Sequence, residues 1–102
     1  MSLVVVATAH PLPEHRAEAI AAFETAIAGA HREPGVDLYA LHEGPDRLVM
    51  IEKYESEAAM SAHGEGPVLA GLLSALQGKL RGTLDVQVLE PHPAGAADKG
   101  AL

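Results

Sequence analysis

The chain has 102 residues, 48% of them hydrophobic, and its 14 acidic against 7 basic side chains give a formal net charge of −7. That size permits one domain around one core, while the acidic balance, with the few arginines and lysines scattered, excludes a basic surface for nucleic acid or anionic membrane. Cysteine is absent, which excludes disulfides, thiolate nucleophiles, iron–sulfur clusters and thiolate-based zinc sites together.

The only aromatic residues are Phe23, Tyr39 and Tyr54, so the core must be built mainly from Val, Leu, Ile and Ala. No basic segment precedes the opening apolar run, and no apolar stretch reaches the ~18 residues a membrane span needs. A cytoplasmic protein with no membrane partner is the expectation.

The opening run SLVVVATAH is apolar on both alternating faces, as in a central strand covered on two sides. LPEHRAEAIAAFETAIAGAH follows with helical spacing. Pro13 suits the first turn, and Glu14 and Glu18 lie near the positive end of the dipole. Ile20, Phe23, Ile27 and Ala30 form an apolar stripe. The EPG stretch at 33–35 then stops the helix, because Pro34 cannot continue it and Gly35 can adopt a left-handed turn.

Two strands joined at GPD (44–46) come next. VDLYALHE sets Val36, Leu38 and Ala40 against Asp37, Tyr39 and Leu41, and RLVMIEKY is apolar on both faces until Glu52. Ser56 is a good N-cap for a short helix through His63. GEGP breaks it, and Pro67 opens another helix with Leu69, Leu72, Leu73, Leu76 and Leu80 on one side. GTLDVQVLE is a last strand with Leu84, Val86 and Val88 on one face. Residues 1–91 thus read as one domain and 92–102 as a loose Pro/Gly/Ala-rich tail.

The order is βαββαβ with the second helical segment split. Strands apolar on both faces belong in the middle of a sheet and half-polar ones at its edges. A ferredoxin-like four-stranded antiparallel sheet ordered 4-1-3-2 satisfies both requirements and keeps the crossovers right-handed. Helices cover one face of such a sheet. Val4, Val6 and their neighbours on the other face would be left wet, which predicts a homodimer packed sheet to sheet.

EPGVDLYALHE after a long first helix, VMIEKYESEAAMSAH after the hairpin and a closing VQVLEP resemble the antibiotic biosynthesis monooxygenase domain family. The similarity covers about residues 3 to 91. It implies a dimeric α+β barrel and a range of activities, among them cofactor-independent oxidation of quinols or phenolic polyketides by molecular oxygen. The family's E-x-[aromatic] step maps onto Glu52 and Tyr54, its helix-end histidine onto His63, and an upstream asparagine of the polyketide-oxidising members onto Met50. The chain has no asparagine and no tryptophan, which argues against the haem-degrading branch.

Glu52 stands out physically as well, because a carboxylate within an apolar strand is expensive unless it is paired. It shares a strand face with Met50 and Tyr54. His63, in the next helix, is its expected partner: either a pocket base for a phenolic proton or a tie between helix and sheet. Tyr39 and Tyr54 are expected to hold a small aromatic ring, and His10 to stand at the cavity mouth. No H-E-x-x-H or G-x-G-x-x-G pattern is present, so no metal, nucleotide or flavin cofactor is expected. The function expected is a cofactor-independent monooxygenase of a small quinol or phenol. A non-catalytic ligand-binding or stress-response dimer and an isomerase of a small oxygenated metabolite are the alternatives.

Overall fold

The computed structural model describes all residues, 1–102. Four strands, β1 (Leu3–Ala9), β2 (Val36–Glu43), β3 (Leu48–Tyr54) and β4 (Asp85–Leu89), form one antiparallel sheet in the order β2-β3-β1-β4. This is the order 4-1-3-2 seen from the opposite edge. Three helices accompany it: α1 (Arg16–Ala30), preceded by a 3-10 turn at Pro13–His15, α2 (Glu57–Glu65) and α3 (Pro67–Leu76). The fold is ferredoxin-like α+β, and the two strands apolar on both faces, β1 and β3, are its central pair. No helix is long and apolar enough to cross a membrane.

The core lies between the sheet and the helices. From the sheet it takes Ala7, Ala9, Tyr39, Leu48 and Met50, and from the helices Ala19, Phe23, Ala26, Ala30, Leu72 and Leu76. Burying a large apolar side chain contributes ~1.5–3 kcal/mol, so Phe23, Leu48 and Met50, each fully buried, dominate this layer. The alternate set on the sheet, Val4, Val6, Val49 and Ile51, takes no part in that core. Helices α1 and α3 pack closely: a Cβ added to Gly29 would lie 2.8 Å from Val68 Cγ2.

Four local features differ from the sequence reading. The buried stripe of α1 is Ala19, Phe23, Ala26 and Ala30, with Ile20 and Ile27 only at its margin. Helix α3 ends at Leu76, because Gln77 leaves the helical region and Gly78 turns with φ +77°. Leu80 therefore joins the core from a bridge to Pro11, and Leu73 is 49% exposed. In β2 an irregularity between Val36 and Leu38 puts Val36 opposite Tyr54 and Tyr39 opposite Glu52. The helix-facing residues of that strand are thus Val36, Tyr39 and Leu41, and the simple alternation is broken. Finally, Val86 and Val88 lie on the helix-facing side of β4 but are 51% and 53% exposed, because β4 is an edge that no helix covers.

The E-P-G turn is tied to its surroundings at several points. Glu33 N–H donates to Ala30 O, and Glu55 N–H, just past β3, donates to Gly35 O at 2.9 Å. Gly35 has φ +82°, and a Cβ there would lie 2.6 Å from Ala59 Cβ. Only glycine lets α2 settle against this turn. Beyond β4, residues 92–102 contain one turn, at 97–99, and no helix or strand, and Lys53 Nζ donates to the Leu102 carbonyl oxygen at 2.5 Å.

Candidate functional site

Strand pairing lines up one row of side chains across the sheet: Val88, Val5, Glu52 and Tyr39 stand opposite one another on β4, β1, β3 and β2. All four face the helices and line a cavity of about 130 Å³ between sheet and helices. Met50 and Tyr54 flank Glu52 on β3 and line the same space. Phe23, Leu69 and Leu72 close it from the helices, and Leu84, Val86 and Val88 line its β4 side. Of the 15 lining residues 12 are hydrophobic, so the few polar groups determine what the cavity can bind.

The first polar group is Glu52. It is only 6% exposed, and Tyr54 Oη donates to its Oε1 at 2.5 Å. Burial pushes the Glu52 carboxyl above its ordinary range, against the opposing pull of that hydrogen bond and of the His63 charge. Tyr54 is in turn pushed far up, by burial first and then by the Glu52 hydrogen bond and charge. Burial and the charges of Glu52 and Glu33 also raise Tyr39 strongly. Both tyrosines therefore remain protonated donors across the physiological range.

The second polar group is His63. Ser56 caps α2, its Oγ accepting from Ala59 N–H at 3.1 Å, and His63 stands in the last turn of that helix. It is 5% exposed, with the Tyr39 ring edge-on at 5.3 Å and the Tyr54 ring at 5.6 Å between centroids. Its hydrogen bond corrects the expected pairing. Nδ1 lies 2.7 Å from Glu33 Oε1, and no hydrogen bond joins His63 to Glu52. The cause is the E-P-G turn, which is stitched to the end of β3 against α2 and holds the Glu33 carboxylate at the imidazole. In the sequence Glu33 reads only as part of a helix stop. No periodicity identifies a partner supplied by a turn, although the density of turn residues in EPG marks a fixed point in the chain.

Of the expected site residues, Tyr39, Met50, Glu52, Tyr54 and His63 share this cavity and His10 does not. At the end of β1 the chain turns into Pro11, which bridges to Leu80, and the His10 carbonyl accepts from Arg81 N–H at 2.6 Å. These contacts hold His10 to the far end of the domain. No three His, Asp or Glu side chains converge closely enough to hold a metal ion.

The domain is thus a ferredoxin-like α+β fold whose apolar cavity is bordered by one carboxylate–phenol pair and one carboxylate–imidazole pair. Residues 2–70, more than half of the chain, match the family model for antibiotic biosynthesis monooxygenase. The chain belongs to the antibiotic biosynthesis monooxygenase family.

Among solved structures it is similar to Rv0793 from Mycobacterium tuberculosis, at 26% identity over 94% of this chain and 100% of that one, with a TM-score of 0.87. It is also similar to a candidate antibiotic biosynthesis monooxygenase from Caulobacter crescentus, at 25% identity, 86% and 87% coverage and a TM-score of 0.80. A conserved protein from Methanosarcina mazei shares the fold at 20% identity, 86% and 90% coverage and a TM-score of 0.81. No curated protein matches the chain.

Proposed function

We propose that the protein is a cofactor-independent monooxygenase of a small quinol or phenol bound in the cavity beside His63. The observation that carries this reading is the open face of His63: its Nδ1 is engaged by Glu33 and its ring borders an apolar space. The cavity also has the right scale, since an apolar cavity of ~150 Å³ accommodates benzene. The family supplies the reaction class and these residues supply the proton chemistry.

In this mechanism His63 takes the proton of a ring hydroxyl as general base. The electron-rich aryloxide gives one electron to O2, and the resulting radicals combine at a ring carbon to form a peroxide. Proton return and loss of water from that carbon leave a carbonyl. For a hydroquinone the sum is quinol plus O2 giving hydroxyquinone plus water. The ring loses four electrons and O2 gains four, so no external reductant is needed. Glu52 and Tyr54 form the pair that handles the returning proton, and Tyr39 and Met50 bound the ring.

The test is oxygen consumption by the purified protein with hydroquinone and substituted phenols, no cofactor being added. Uptake is expected in the wild type, and His63→Ala is expected to lower it about a hundredfold or more. A flat trace across the panel overturns the oxygenase reading, and ligand binding under those conditions would make this a binding protein.

We propose in addition that a second copy covers the outer face of the sheet. Val6, Val49, Ile51, Leu38 and Ala40, each partly exposed, form an apolar surface with no helix over it, beside the buried Val4. A patch of that kind on a small domain usually has a partner, and a self-complementary two-fold contact is the simplest one.

A further inference from the structure

Two polar atoms in the cavity have no partner within the protein: His63 Nε2 and the Tyr39 hydroxyl. The only side-chain hydrogen bond of His63 runs from Nδ1 to Glu33, and none engages the Tyr39 hydroxyl. Neither atom is sealed away, because no buried side-chain nitrogen or oxygen is left both inaccessible and unpartnered. Both residues line the cavity. The Glu33 carboxylate accepts hydrogen bonds and cannot donate them, so the 2.7 Å contact assigns a proton to Nδ1, and in the neutral ring this leaves a lone pair on Nε2. Burial keeps the Tyr39 hydroxyl protonated and so a donor.

We infer that Glu33, by fixing the tautomer of His63, makes the cavity a receptor for an uncharged ring that bears a hydroxyl group, and that the same arrangement turns away carboxylates and phosphates. The inference rests on the reading above that the cavity is the ligand site, and it adds the charge and donor pattern of the ligand. A ring hydroxyl donates to His63 Nε2, and its oxygen, or one beside it, accepts from Tyr39.

No arginine or lysine lines the cavity, whereas Glu52 does and Glu33 stands directly behind the imidazole. An anionic ligand would enter a poorly solvated space beside two carboxylates with no cation to pair with, at a heavy desolvation cost. Glu33 itself does not line the cavity and its side chain is 23% exposed. It is a positioning residue that acts through His63 and offers a proton taken at Nε2 a route from Nδ1 to solvent.

The experiment uses the full chain with nitrogen-15 in its histidines. Long-range proton–nitrogen NMR spectra read the tautomer of neutral His63, and phenol, anisole and benzoate serve as binding probes. Wild type is expected to show the Nδ1–H form. Glu33→Ala is expected to shift His63 toward the Nε2–H form, and Glu33→Gln, whose amide oxygen still accepts, to retain the wild-type tautomer. Phenol is expected to bind about tenfold more tightly than anisole, which lacks the donor, and benzoate not to saturate. In Glu33→Ala the preference for phenol over anisole should fall to near parity.

An Nε2–H tautomer in the wild type overturns the inference. So does binding of anisole or benzoate as tight as that of phenol, and so does the absence of saturable binding by all three probes. Phenol binding with the expected tautomer but no oxygen uptake would remove the oxygenase reading and leave this inference standing. Oxygen uptake with the Nε2–H tautomer would do the reverse.

Discussion

Tyr54 donates its hydroxyl to Glu52 two residues back on the same strand, at 2.5 Å, with both side chains buried. This is the only hydrogen bond the Glu52 carboxylate receives from a side chain. Tyr54→Phe keeps the ring and its packing but leaves the carboxylate without that donor, at an expected cost of ~1–3 kcal/mol. A lower urea midpoint at unchanged slope would show it. In the Glu52→Gln background the same substitution should cost measurably less, because a neutral amide loses less than a charge does. Equal costs in the two backgrounds would mean that the pair is not energetically coupled.

Glu52 also makes a specific pH dependence. In the unfolded chain it titrates near its ordinary value of 4.5, and burial raises it in the fold. Below the unfolded value the carboxyl is protonated in both states and its contribution to stability is fully present. As pH rises through the raised folded value the buried group must ionise, and that contribution is lost. Wild-type Tm should therefore fall relative to Glu52→Gln as pH rises from about 4 toward neutrality. Tm curves that stay parallel over this range would contradict the assignment.

The turn that carries Glu33 depends on Gly35. With φ +82° and Ala59 Cβ 2.6 Å from the position of an added Cβ, Gly35→Ala combines left-handed strain with a clash against α2. The expected loss is above ~1 kcal/mol, read from thermal or urea unfolding. Because α2 must shift, the edge-on contact between His63 and Tyr39 should loosen too, visible as altered ring resonances. A variant with wild-type stability and spectra would mean that the turn yields easily.

The outer sheet face gives a prediction of association. A sheet-to-sheet homodimer should dissociate when Ile51, in the middle of that face on β3, becomes Lys, since a buried unpaired ammonium is costly. Sedimentation velocity over a range of concentrations is the measurement. Wild type should sediment as a dimer and Ile51→Lys as a folded monomer. A wild-type monomer at every concentration would mean that nothing of this kind covers the face.

How much of this can be read in the sequence depends on how local each signal is. The central strands are legible because a run such as Leu3 to Ala7 is apolar at every position, which leaves no polar face to turn toward solvent. The Ser56 cap and the left-handed Gly35 are legible as single-residue chemistry. The end of α3 is not, because leucines at helical spacing continue to Leu80 beyond Gly78, where the backbone turns. The partner of His63 is not legible either. Glu33 lies thirty residues away in a turn, and it reaches the imidazole only after the β2–β3 hairpin has folded back. The need of Glu52 for a partner is plain from its apolar neighbours, and Tyr54 on the same strand supplies it.

The edge position of β4 divides the border of the cavity along the chain. Glu33, Glu52, Tyr54 and His63, the two hydrogen-bonded pairs at the cavity, all fall within the 2–70 stretch that matches the family model. The exposed Val86 and Val88, with Leu84, border the cavity from outside that stretch. Val86 and Val88 stand on a strand with one free side. If the cavity takes the ring proposed above, changes in bulk at these positions would alter its fit while leaving both hydrogen-bonded pairs untouched.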